Sequence, residues 1–138
     1  MSDTTKISIV VLCIDYRFWP QALPLLEAKY GPFDLIEIAG AAKNLLAPLE
    51  EDDRVVLLEN IQISINLHHP DRLVLTNHTD CGAYGGSGQF KSRAEEIKFH
   101  KTELRKAAVI AKKEFPQLKV EILVIDKDNQ GQILLIEA

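Results

Sequence analysis

Cysteine is scarce in this sequence: among 138 residues there are two, Cys13 and Cys81. A chain of this length buries roughly 68% of the surface its unfolded form exposes, so a core forms without covalent staples. Paired use of two thiols then points to metal binding or catalysis more than to a structural bridge. No segment approaches the ~18 to 20 consecutive apolar residues of a membrane span. There is no basic run, and a formal net charge of -4 argues against a nucleic-acid polyanion as partner. Residues 1–6 lack the basic and apolar regions of a secretory signal, so the expectation is a cytoplasmic protein without a membrane partner. Internal repeats, low-complexity tracts and linkers are also missing. The expectation is one domain over residues 1–138.

What is present alternates between two periods. Residues 7–12 are apolar and β-branched, as in a buried parallel strand, and residues 13–19 form a loop at its C-terminal end. A helix is predicted over about 20–30, with Leu23, Leu26 and Tyr30 on one face, stopped by Gly31 and Pro32. Pro24 fits only if it lies in the first turn. A second strand is predicted over 33–38 and a short helix within 41–49, cut by Pro48. Asp52 and Asp53 read as the N-cap of a helix over 54–67, with Val55, Leu58, Ile61 and Ile65 facing inward. A third strand runs from Arg72 to Thr76. Residues 82–91 are glycine-rich and irregular, and Ser92 with Glu95 gives a capping box that opens a helix to about Glu114. Strands over 120–125 and 133–136, joined by a turn at 128–131, complete the chain. The expected fold class is α/β: a mainly parallel central sheet of four strands plus a short antiparallel edge strand, with helices on both faces.

Two stretches carry chemistry, and both fall at the carboxyl ends of predicted strands, where open α/β sheets bind ligands. One is Cys13-Ile14-Asp15-Tyr16-Arg17. The other is His78-Thr79-Asp80-Cys81-Gly82. Two thiolates and one imidazole suit tetrahedral Zn²⁺, and three protein ligands leave the fourth corner for water, which becomes a hydroxide nucleophile near neutral pH. Asp15 can accept a hydrogen bond from that water while Arg17 grips the carboxylate at two points. Asp15 can also take the fourth corner itself and close the site. Asp80 is a candidate acceptor for the His78 ring. His100, set among lysines, is expected on the solvated surface, and His68 and His69 sit at a helix end where a cation complements the dipole. The glycines of 82–88 lack the lysine and the spacing of a phosphate loop. They are expected to let the chain pass close to the metal site or to a partner.

These two stretches, Cys-x-Asp-x-Arg followed by His-x-x-Cys-Gly, resemble the pattern of the β-class carbonic anhydrases, and the resemblance runs over most of the chain. It implies one Zn²⁺ per chain on Cys13, His78 and Cys81, with Asp15 and Arg17 as the catalytic, activating pair. It also implies reversible hydration of CO2 to bicarbonate and a homodimer or higher homo-oligomer with active sites at the subunit interface. Relatives of the same fold hydrolyse CS2 or COS, and a non-catalytic zinc-binding protein is a further alternative. The sequence departs from the family pattern in places. Glu37-Ile38-Ala39-Gly40 stands where Arg-Asn-Ala-Gly is usual, Tyr16, Phe18 and Trp19 are bulky, and the chain begins close to its first strand, without the helical arm that wraps the partner subunit in many members. Both the pocket wall and the subunit contacts are expected to differ accordingly.

Overall fold

A computed structural model describes residues 6–138. The elements are β1 (Ser8–Leu12), α1 (Trp19–Tyr30), β2 (Phe33–Glu37), α2 (Lys43–Leu46), α3 (Glu51–His68), β3 (Arg72–His78), α4 (Arg93–Glu114), β4 (Lys119–Lys127) and β5 (Ile133–Glu137), with two short 3-10 turns at Gly82–Tyr84 and Ser87–Gln89. The five strands form one sheet in the order β2-β1-β3-β4-β5. β1 pairs parallel with both β2 and β3, β3 pairs parallel with β4, and β5 closes the edge antiparallel to β4. The α/β architecture is the expected one. None of the described helices is long and apolar enough to cross a membrane.

The central strand explains the two-sided core. β1 is buried along its whole length, because a parallel strand flanked by crossover helices has no solvent face. Strand alternation sends Ile9 and Val11 to one face, where they meet Leu45, Leu57, Ile61, Leu104 and Ala111 from α2, α3 and α4. Val10 and Leu12 go to the other face, against Ala22, Leu26 and Tyr30 of α1. Ile9, Leu57, Ile61 and Leu75 have no exposed surface. Each such side chain contributes about 1.5–3 kcal/mol by burial.

Several local expectations change. Pro24 lies inside α1 beyond its first turn, on the exposed side, and Pro20 occupies the helix start. α3 begins earlier than predicted. Glu50 is its N-cap, and the Asp53 carboxylate accepts the Glu50 N–H at 3.2 Å. Its fully buried residues are Leu57, Ile61 and Ser64, while Val55 is exposed. β3 runs on to His78, so the histidine closes the strand instead of starting a loop. Ser92 caps α4 by accepting the Glu95 N–H at 3.1 Å, whereas the Glu95 carboxylate reaches back to the Lys91 N–H. His68 is held by the Asp34 carboxylate of β2 at 2.7 Å.

His100 is the largest correction. It has no exposed surface, because the helix period places it with Glu96 and Leu104 and not with its sequence neighbours Lys98 and Lys101. Its ring lies edge-on to Tyr84 and Phe99, and its Nδ1 is 3.3 Å from Asn77 Nδ2. Burial pushes its pKa down to about 4, with the Glu96 carboxylate opposing and His78 adding to the depression. The unfolded chain therefore binds an extra proton between about pH 6.5 and 4, so stability is complete above that window and is lost as pH falls through it. The expected loss is up to about 3 kcal/mol from this group. Urea unfolding across the window should show it in the native chain. His100→Phe should flatten that part of the profile; an identical profile in the variant would remove His100 as the cause.

Candidate metal centre

The chain leaves β1 at Leu12, goes to β2 on one side and returns to β3 on the other. The carboxyl end of β1 is therefore the point where the sheet's winding reverses, which is where open α/β sheets form a ligand crevice. Cys13 follows β1 directly, and His78 ends β3 beside it. Cys81 comes three residues later, after a turn. The two sulfurs and one imidazole nitrogen lie within 4.8 Å of one another, and all three residues are buried.

Whether this group fits a metal is decided by its hydrogen bonds. His78 Nδ1 lies 2.6 Å from the Thr79 carbonyl oxygen. A carbonyl only accepts, so Nδ1 carries the proton and Nε2 keeps a free lone pair. That Nε2 is buried and has no hydrogen-bond partner among the described residues. An orphaned buried acceptor beside two thiols is the arrangement a thiophilic ion would satisfy, and the S, S, N donor set is that of zinc. The two thiols titrate as a pair. The Cys13 thiol is pushed well below its ordinary value first by its hydrogen bond with Cys81, against burial, with help from the Gly40 N–H. Cys81 is pushed up by the same hydrogen bond and by burial. The pair thus loses one proton easily and the second with difficulty, until a cation replaces it.

Gly40 was not among the sequence candidates as a site residue. Its N–H points to Cys13 Sγ at 3.5 Å, its φ is +82°, and a Cβ there would come 3.1 Å from the Ala83 Cβ. Glycine is required for that approach. Its sequence signals are a glycine just past β2 and the match of Ala39-Gly40 to the end of the family's Arg-Asn-Ala-Gly pattern. The Phe18 ring packs on the His78 ring at 4.2 Å and Trp19 belongs to the α1 core, so of the three bulky residues only Tyr16 stands at the mouth.

Asp15 and Arg17 come together as the sequence suggests. Asp15 Oδ1 accepts the Arg17 backbone N–H at 2.9 Å and Nε–H at 3.0 Å, and Oδ2 accepts Nη2–H at 2.7 Å. The Arg17 side chain holds the carboxyl at a pKa of about 2, against partial burial and with its own backbone N–H assisting. Asp15 Oδ2 is 3.7 Å from His78 Nε2. Asp80 does not reach the His78 ring. It bonds Arg17 instead, through Oδ2 at 2.8 Å and its carbonyl at 2.9 Å. A cavity of about 450 Å³ opens over the thiols, lined by Ile14, Asp15, Tyr16, Ala39 and Ala83 among others. Sequence reading also missed Asp126, buried on β4, which accepts the Thr79 hydroxyl at 2.8 Å and two Arg93 N–H groups. Nothing in linear spacing links these residues.

An uncharacterized protein of Rickettsia conorii is 28% identical over 127 residues, covering 88% of this chain and 68% of the relative. One from Rickettsia bellii is 25% identical, covering 88% and 77%. Among solved structures, the carbonic anhydrase of Streptococcus mutans matches with a TM-score of 0.59 at 18% identity, over 95% of this chain and 81% of that one. One of two tetrameric beta-carbonic anhydrases of Sordaria macrospora matches at 0.60 with 13% identity, over 99% and 83%. These two structural matches speak for the fold. A family model described as "Putative carbonic anhydrase" matches residues 3–136, and the chain belongs to that family.

Proposed function

We propose that this protein hydrates CO2 reversibly to bicarbonate, with one Zn²⁺ per chain on Cys13, His78 and Cys81 and with Asp15 and Arg17 as its catalytic pair. The observation that carries the proposal is the unpartnered His78 Nε2, buried between two thiols and 3.7 Å from an Asp15 carboxylate that Arg17 holds. When bound, zinc would lower the pKa of a water at its fourth position so that it attacks CO2 near neutral pH. Asp15, kept ionised by Arg17, would accept a hydrogen bond from a water held there and so orient it. Arg17 keeps the carboxylate in place and acceptor-only. Ile14, Ala39 and Ala83 give the cavity an apolar wall suited to an uncharged substrate such as CO2.

Asp15 is gripped by three N–H groups of Arg17, and this supports a fourth metal position open to water over one closed by the carboxylate. Ile14 is 56% and Tyr16 78% exposed beside the mouth, which supports a second copy of the chain covering this edge. Zinc analysis should give close to one ion per chain, and stopped-flow CO2 hydration between pH 7 and 9 should exceed the buffer rate. Absence of that rate from fully zinc-loaded protein overturns the CO2 reading. Turnover of COS or CS2 in its place would redirect it to hydrolysis of a CO2 analogue. Light scattering in solution tests the second copy.

A further inference from the structure

Glu96 on α4 is 2% exposed, and the proposed chemistry does not use it. A buried carboxylate is costly unless hydrogen-bonded. Its hydrogen bonds go to one loop: Oε2 accepts the Asp80 N–H at 2.7 Å and Oε1 accepts the Ser87 O–H at 2.8 Å, while Oε2 also lies 3.8 Å from His100 Nε2. We propose that Glu96 is a positioning residue for the Asp15–Arg17 pair, acting through Asp80. The inference rests on the reading of that pair as the catalytic one.

Each link is local geometry. Asp80 stands between His78 and Cys81 with φ +55°, a left-handed conformation that Asp tolerates better than most non-glycine residues. Glu96 holds its N–H in that turn. In this conformation the Asp80 side chain and its own carbonyl both turn towards Arg17, accepting Nη1–H at 2.8 Å and Nη2–H at 2.9 Å. The adjacent edge of the same guanidinium, which shares Nη2, grips Asp15 through Nε and Nη2. Arg17 is thus held along two edges, and one of them is met by the turn whose N–H Glu96 holds. The loop closes over this arrangement. Ser87 N–H donates to Asp80 Oδ1 at 2.9 Å, and Gly86, at φ +80°, leaves the space that a Cβ would take 3.2 Å from that oxygen. The planar, five-donor guanidinium makes such two-sided holding possible, where a lysine would offer a point charge.

A carboxylate suits the position because it accepts from both donors at once. Glutamine keeps the shape, with its oxygen on the Asp80 N–H and its N–H₂ donating to the Ser87 hydroxyl, but it removes the charge and leaves Asp80 a weaker, neutral acceptor. The test is the zinc-loaded protein and its Glu96→Gln variant, each labelled with ¹⁵N. In the variant the Asp80 amide should move upfield and exchange faster with solvent, and the Arg17 Nε–Hε resonance should shift and broaden, with zinc content still near one per chain. In CO2 hydration kcat should fall about 10- to 100-fold, the range for loss of an outer partner, with KM changing less. An unmoved Arg17 resonance beside an altered Asp80 amide would overturn the proposal and leave Glu96 as a loop anchor alone. If Glu96→Gln does not fold, Glu96→Asp, which keeps the charge but withdraws the acceptor by one methylene from the Asp80 N–H, is read by the same two resonances. If the native protein hydrates no CO2, the catalytic reading fails by itself. The Arg17 resonance still decides whether Glu96 governs that side chain.

Discussion

Cys81→Ser should leave the fold standing and abolish metal binding. Serine is nearly isosteric with cysteine, and Cys81 is 3% exposed in a well-packed site, so the substitution opens no large cavity. Its hydroxyl is a poor zinc donor beside a thiolate. Removing an outer partner of a metal ligand weakens binding by about 10- to 100-fold, and removal of a ligand itself should exceed that range. Zinc measured after dialysis against a weak chelator should drop from near one ion per chain to less than about a tenth, and CO2 hydration should disappear with it. Far-UV circular dichroism should remain that of the native chain, while the rise in melting temperature on adding zinc should be lost, because that rise is binding free energy. Full zinc retention by Cys81→Ser would remove Cys81 from the ligand set.

Asp15→Asn should separate binding from turnover. Asparagine keeps the shape and one acceptor for Arg17, so the loop should stay in place and zinc should remain close to one per chain. It lacks the second anionic oxygen and presents an N–H₂ donor towards the attacking water. A positioned acid–base group contributes typically 10²- to 10⁴-fold, and kcat should fall by about that factor. Metal analysis and stopped-flow kinetics on one preparation give both readouts. If zinc is lost together with activity, Asp15 is itself a ligand and the fourth position is closed by protein. If neither changes, the Asp15–Arg17 pair is a surface ion pair of the kind usually worth less than about 1 kcal/mol.

The strands and the site's outline were legible because their signals are local. β-branched runs mark β1 and β4, Gly31 marks the end of α1, and a turn rich in Asp, Asn and Gly marks the hairpin before β5. Both short motifs could be read as donor sets without a fold. The errors have a common cause as well. His100 has lysines as its neighbours in sequence, Lys98 and Lys101, but its environment is set by residues four positions away and by aromatic rings from the Gly-rich segment. Asp80 was assigned to the nearest histidine, when the left-handed turn at that residue aims it at Arg17, 63 positions away.

By itself the sequence determined which atoms are available: two thiols, one imidazole and an Asp–Arg pair, each within a few residues of a strand end. Those assignments need only residue chemistry and short spacings. The tertiary structure alone decided what holds them. The crossover from β2 to β3 sets Cys13 beside His78, Gly40 approaches the Cys13 sulfur from 27 positions away, and Glu96 reaches Asp80 across 16. Such contacts depend on strand order and on which helix face is buried, and both are settled when the core packs from both sides of the sheet.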